Sequence, residues 1–142
     1  MYESIEAIIK DKTEEPFWKK IQLDDCRERA VSEEKNFLEM KKMYLTMKQS
    51  VENYDGRLKS NSGLVGGEAD LFGKYRLTGK SLVGDFVGSV MEKALMVAES
   101  NACMKRIVAA PTAGSCGVVP AVFISIQERE GFSDDKIEYY PA

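Results

Sequence analysis

Residues 33–54, EEKNFLEMKKMYLTMKQSVENY, decide the fold class. Phe37, Met40, Tyr44, Met47, Val51 and Tyr54 recur at alternating steps of three and four, with Lys and Glu on the remaining faces. That period lays one apolar stripe along one side of an α-helix. Ser32 supplies an N-cap and Gly56, after Asn53 and Asp55, a stop, so the spacing predicts a helix from about Glu33 to about Tyr54. The stripe spans barely three heptads and uses aromatics and Met instead of Leu and Ile. Packing inside a domain therefore explains it better than a coiled-coil partner does.

Upstream, shorter helices are expected over Tyr2–Lys10 and about Phe17–Leu23. Downstream, Val83, Phe86, Val87, Val90, Met91, Ala94, Leu95, Ala98 and Ala102 give two adjacent apolar positions per turn, a buried helix over about 82–102 with Ser81 as its cap. A short apolar run, Ile107–Ala110, leads into Pro111-Thr112-Ala113-Gly114-Ser115-Cys116-Gly117. A last helix is expected from Val118 to about Glu130, with Pro120 in its first turn, where a missing N–H is harmless. No stretch alternates with period two. The class read from the sequence is all-α, with Gly-rich loops between helices.

Three zones divide the 142 residues: 1–55, with 23 charged residues and no Gly; 56–81, with six Gly; and 82–142, apolar with sparse charge. The length suits one domain. Ser133, Asp134 and Asp135 read as the start of another helix that the chain does not complete, so the whole reads as an incomplete piece of a larger helical domain. Net charge is -3, which gives no general attraction to nucleic acid or anionic lipid. The first residues are too short and too charged for a signal peptide or membrane span. There is no His, which excludes histidine bases, Ser-His-Asp and Cys-His catalysis and imidazole zinc sites. Cys26, Cys103 and Cys116 form neither a Cys-x-x-Cys pair nor an even disulfide framework, a usage that points to the reducing cytoplasm.

Two loops carry the candidate chemistry. In Asn61-Ser62-Gly63-Leu64-Val65-Gly66-Gly67-Glu68-Ala69-Asp70 the glycines let backbone N–H groups approach a ligand, and residues 56–81 hold five Lys or Arg against two acids. A small anion suits such a loop; a flexible linker is the plainer alternative. The second loop, Pro111–Gly117, feeds a helix N-terminus, which favours a carboxylate or phosphate, with Thr112 and Ser115 as hydroxyl donors. A simple turn capped by Ser115 or Thr112 fits equally well. Gly73-Lys74-Tyr75-Arg76-Leu77-Thr78-Gly79-Lys80-Ser81 imitates a phosphate loop, but it has five residues between the glycines where four are needed, and no strand precedes it. Cys116, near a helix N-terminus, is a candidate reactive thiol, but no His is present to activate it; Cys26 and Cys103 read as small buried hydrophobes.

Taken in order, Ser62-Gly63-Leu64-Val65-Gly66-Gly67-Glu68-Ala69, Gly79-Lys80-Ser81-Leu82 and Ala110-Pro111-Thr112-Ala113-Gly114-Ser115-Cys116-Gly117-Val118-Val119-Pro120 make the sequence resemble the α-chain of bacterial iron-sulfur L-serine dehydratase, over about residues 30–142. The family usually has Thr where Val65 stands and Asp where Glu68 stands. The resemblance implies a pyridoxal-independent lyase of serine catabolism and gluconeogenesis that converts L-serine to pyruvate and ammonia with a [4Fe-4S] cluster. It implies substrate-binding roles for Ser62, Gly66, Gly67, Thr112 and Gly114, and leaves the catalytic base unassigned. The family's cluster cysteines lie in motifs beyond residue 142, so the resemblance implies no metal ligand and no cluster on this chain. It describes the N-terminal part of an α-chain, inactive alone, whose partners are the missing C-terminal half and a separate β-chain. Self-association through the uncovered face is a further expectation. A non-catalytic helical module that binds an anion or a protein partner is the alternative.

Overall fold

The computed structural model describes residues 4, 6, 16–110, 112 and 114–134. Five helices run through them, and no strand occurs among the described residues. They are α1 (Phe17–Glu28), α2 (Glu33–Glu52), α3 (Glu68–Leu77), α4 (Gly84–Ala102) and α5 (Ser115–Glu130). The all-α class read from the sequence is therefore the observed one. Of the helix expected over Tyr2–Lys10 all but Ser4 and Glu6 lies outside the described residues, as does the continuation expected beyond Asp134.

The stripe on α2 behaves as a core face. Tyr44 is buried with Ile124 of α5, and Val51, Phe123 and Phe132 pack around them. The Tyr44 hydroxyl donates to the Gln127 side-chain oxygen, so the phenol's polar tip stays satisfied inside the core. Ser32 caps the helix as expected, its hydroxyl accepting from the Lys35 amide at 3.2 Å. The helix stops at Glu52 with Asn53 as C-cap, which leaves Tyr54 outside it and free to serve another structure.

Three expectations need correction. Residues 68–77, read as part of the Gly-rich loop region, form the helix α3. Its first turn carries Glu68 and Asp70 and its last Lys74 and Arg76, each charge at the helix end that favours it. Ser81 does not cap α4, which starts at Gly84 after Val83 with no side-chain cap. Finally, α5 starts at Ser115, three residues early, because Gly114 adopts the left-handed conformation (φ 84°) as its N-cap. Pro120 then falls in the second turn, fully buried, and withholds one backbone hydrogen bond from the helix.

Helix α4 is the central element, packed against α2, α3 and α5. Against α3 it runs antiparallel: Arg76 reaches Glu92 at 2.8 Å and Asp85 at 2.5 Å, while Ala69 meets Glu99. Gly73 lets the Glu92 carboxylate lie where a Cβ would otherwise stand. Against α5 it is also antiparallel, with Phe86 under Arg129 at 5.0 Å, Ser89 beside Ser125, and the Ala94 carbonyl against Gly117. Ser89, Glu92 and Glu99 of α4 thus point at its neighbours, while Val87 and Met91, expected in the buried stripe, are exposed, as is Val83 just before the helix.

Candidate functional site

The segment leading into α3 is a built structure and not a slack linker. The Ser60 amide donates to the Val65 carbonyl at 2.9 Å, the Gly63 amide to the Ser60 carbonyl at 2.8 Å, and the Val65 amide to the Ser60 hydroxyl at 3.1 Å. The Lys59 ammonium donates to the Gly66 carbonyl. Gly66 is buried at φ 137°, and a Cβ there would overlap the Leu58 carbonyl oxygen, so only glycine fits.

The anchor of this loop lies far away in sequence. Glu99, on α4 and only 3% exposed, accepts from the Gly67 amide at 2.6 Å, the Ala69 amide at 2.7 Å and the Tyr54 hydroxyl at 2.6 Å. One buried carboxyl group therefore caps the N-terminus of α3 and ties it to the end of α2. Burial first, then the Glu99 hydrogen bond, pushes the Tyr54 phenol far above its ordinary pKa, so it remains a donor. Glu68 accepts from the Gly66 amide at 2.7 Å, and that bond holds its carboxyl below the usual range.

The sequence-derived site residues fall as follows. The amides of Gly66 and Gly67 already hold this chain's own carboxyl groups, Glu68 and Glu99. Ser62 is exposed, its hydroxyl 3.1 Å from that of Ser60 and 3.4 Å from the Leu64 amide. Thr112 is exposed and exchanges bonds with Ser115: the Thr112 amide donates to the Ser115 hydroxyl at 3.2 Å, which donates back to the Thr112 carbonyl at 2.6 Å. Gly114, also exposed, caps α5. No hydrogen bond joins the two loops among the described residues. They do share one end of the bundle. Both α3 and α5 run antiparallel to α4, and their N-termini flank its C-terminal half, Ala69 at Glu99 and Gly117 at Ala94. The N-terminus of α5, which has no side-chain cap, and that of α3, already capped by Glu99, therefore face the same way.

Sequence reasoning missed Glu99 and Tyr54. The signal was present: a lone carboxyl residue at Glu99, four residues after Leu95 on an otherwise apolar stripe, calls for a buried partner.

With this geometry, the sequence matches the serine dehydratase alpha chain family over residues 4–140. The chain belongs to that family. The L-serine dehydratase, alpha chain, of Peptoniphilus asaccharolyticus is 41% identical over 75 residues, 53% of this chain and 26% of that protein. The probable L-serine dehydratase, alpha chain, of Bacillus subtilis (strain 168) is 37% identical over 93 residues, 66% of this chain and 31% of that protein. The aligned part is thus about a quarter to a third of each relative. No solved structure matches significantly. This member of the serine dehydratase alpha chain family carries its two glycine loops on one end of a helical bundle.

The cysteines do not assemble into a metal site. Cys26 is buried on α1, Cys103 follows α4, and Cys116 lies in the first turn of α5. Among the described residues no three His, Cys, Asp or Glu side chains are grouped to hold a metal ion. No described helix is long and apolar enough to cross a membrane.

Proposed function

We propose that this chain supplies substrate-cavity loops to an L-serine dehydratase that converts L-serine to pyruvate and ammonia. The observation that carries this reading is the common orientation of α3 and α5, whose glycine loops flank the same half of α4, with the positive N-terminus of α5 left without a side-chain cap. A serine carboxylate binds at such an end. The exposed Gly114 turn and the hydroxyls of Ser62 and Thr112 provide the donors, and Glu99 with Tyr54 keeps the Gly66–Gly67 segment in register.

The described residues do not fit the [4Fe-4S] cluster that the family resemblance implies, because the three cysteines stand on separate elements. Cluster ligands then belong to polypeptide outside this chain, and the chain by itself is inactive. Its partners in this reading are the remainder of the α-chain and a β-chain. In the assembled enzyme, a Ser62→Ala, Thr112→Ala double variant raises KM for serine by about tenfold, the value of one or two lost hydrogen bonds to a charged group, with kcat changed far less. An unaltered KM removes the loops from the substrate site.

A further inference from the structure

Helix α4 carries apolar side chains on every side, and its four charged residues all bond to neighbouring helices. Asp85 and Glu92 pair with Arg76 of α3, Glu99 accepts from the Gly67 and Ala69 amides, and Lys93 pairs with Glu128 of α5 at 2.8 Å. A helix that is apolar all round belongs in the interior of a bundle, covered on all sides. One side of α4 is open. At 3.6 residues per turn, Glu92 and Glu99 mark the arc toward α3 and Ser89 and Lys93 the arc toward α5. Ser100, which lines a cavity together with Gln49 and Asn53, marks the arc toward α2. Val87, Met91 and Ala98 fall on the remaining arc, opposite α2, and all three are exposed. Tyr75 of α3 and Val118 of α5, exposed as well, border that arc on either side.

The family supplies polypeptide that could cover it. The 75 aligned residues are 26% of one relative and the 93 aligned residues 31% of the other, so each relative is about 300 residues long against 142 here. At least about half of each relative therefore has no counterpart in this chain.

We propose that the Val87, Met91 and Ala98 face is the docking surface for that remaining α-chain polypeptide, which lays an apolar helix along the channel between α3 and α5 and completes the burial of α4. The face dictates the partner's chemistry: an uncharged stripe, because a charge set against it would be buried without a counterion. A second copy of the chain occupies the face only while the partner is absent. The inference rests on the serine dehydratase reading for the identity of the partner, and it deepens that reading. Val118 lies one turn beyond Gly114, so a polypeptide docked here also roofs the uncapped N-terminus of α5 and shields it from water.

Two methionines make the test internal to the chain. Met91 on the open arc of α4 and Met43 on α2 are comparably exposed, at 41% and 49%. The chain is co-produced with the polypeptide that completes an α-chain of this family, taken from the Bacillus subtilis relative, so that neither part has to fold in isolation. The complex is then oxidised with dilute peroxide beside the chain alone, diluted until monomeric. The expected result is a one-to-one complex in which sulfoxide formation slows about fivefold or more at Met91 and changes by less than about twofold at Met43. Val87→Glu with Met91→Glu weakens the complex about a hundredfold or more, whereas Leu38→Glu with Met43→Glu, the same charges added on α2, leaves it intact. All four residues are exposed, so the variants keep the fold, and their melting curves verify it. Absence of a complex, protection of Met43 instead of Met91, or equal loss in both double variants overturns the proposal. Protection of Met91 by self-pairing alone assigns the face to a second copy and overturns it as well. None of these readouts involves serine turnover, so failure of the docking surface and failure of the proposed activity are told apart.

Discussion

Replacing Glu99 by Gln is the most informative single perturbation of this fold. The wild-type side chain is buried and accepts from three donors, the Gly67 and Ala69 amides and the Tyr54 hydroxyl, with the Glu68 carboxyl also beside it. A carboxamide has the same shape but only one oxygen. Whichever way it is turned, its NH2 group confronts a donor, and at least one backbone amide at the start of α3 loses its partner. A lost hydrogen bond costs about 0.5–1.5 kcal/mol and a buried amide left without a partner about 1–3 kcal/mol, so the net loss is about 2–4 kcal/mol. Glu99→Ala leaves all three donors unmet and opens a cavity, for about 3–5 kcal/mol. Tyr54→Phe removes one bond and costs about 1 kcal/mol. Against a typical domain stability of about 5–15 kcal/mol, the first two are large and separable by urea denaturation monitored by helical circular dichroism. Hydrogen exchange at Gly67 and Ala69 should accelerate in step. A Glu99→Gln protein within about 0.5 kcal/mol of wild type, or Tyr54→Phe costing more than Glu99→Gln, refutes the capping argument.

Gly66→Ala places a methyl group on the Leu58 carbonyl at φ 137° and should cost about 3 kcal/mol or more in the same assay; a loss below about 1 kcal/mol shows that the loop can rearrange. The pH dependence has two edges. Arg57 lowers Asp55 to about 2, the Gly66 amide lowers Glu68, and Lys48 with Gln127 lowers Asp134, so the unfolded chain takes up these protons first. Their stabilisation is complete above the unfolded carboxyl pKa of about 4 and is lost as pH falls below it, seen as a declining urea midpoint. Tyr54, raised in the fold, contributes below its unfolded pKa of about 10 and loses that contribution as pH rises further, an effect absent in Tyr54→Phe. The outward face of α4 should drive self-association, detectable by sedimentation velocity; Val87→Glu with Met91→Glu should yield monomer, and an unchanged oligomer excludes that face. Anaerobic reconstitution should leave almost no iron or sulfide on this chain, whereas a stoichiometric cluster would mean that Cys26, Cys103 and Cys116 bind it.

What can be read from the sequence is local. The α2 stripe and its Ser32 cap are both visible because each depends on neighbours within a few residues. Helix α3 is hidden by Gly66 and Gly67 before it and Gly73 within it, and its N-terminal cap comes from Glu99, a side chain roughly thirty residues downstream. Capping of that kind leaves no local pattern. The same applies to α4 and α5, whose starts are set by backbone geometry at Val83 and Gly114, while Ser81 and Ser115 do not act as N-caps. The glycine loops stand out by composition, but the occupants of the Gly66 and Gly67 amides, Glu68 and Glu99, emerge only with the tertiary structure.

Pyruvate formation from L-serine is the direct test of the central claim. The chain should be assayed alone and after anaerobic co-assembly with the polypeptide that completes an α-chain of this family and with a β-chain. The account predicts no turnover by the chain alone and equimolar pyruvate and ammonia from the assembly. Turnover by the chain alone, or an assembled enzyme that leaves serine untouched, contradicts it.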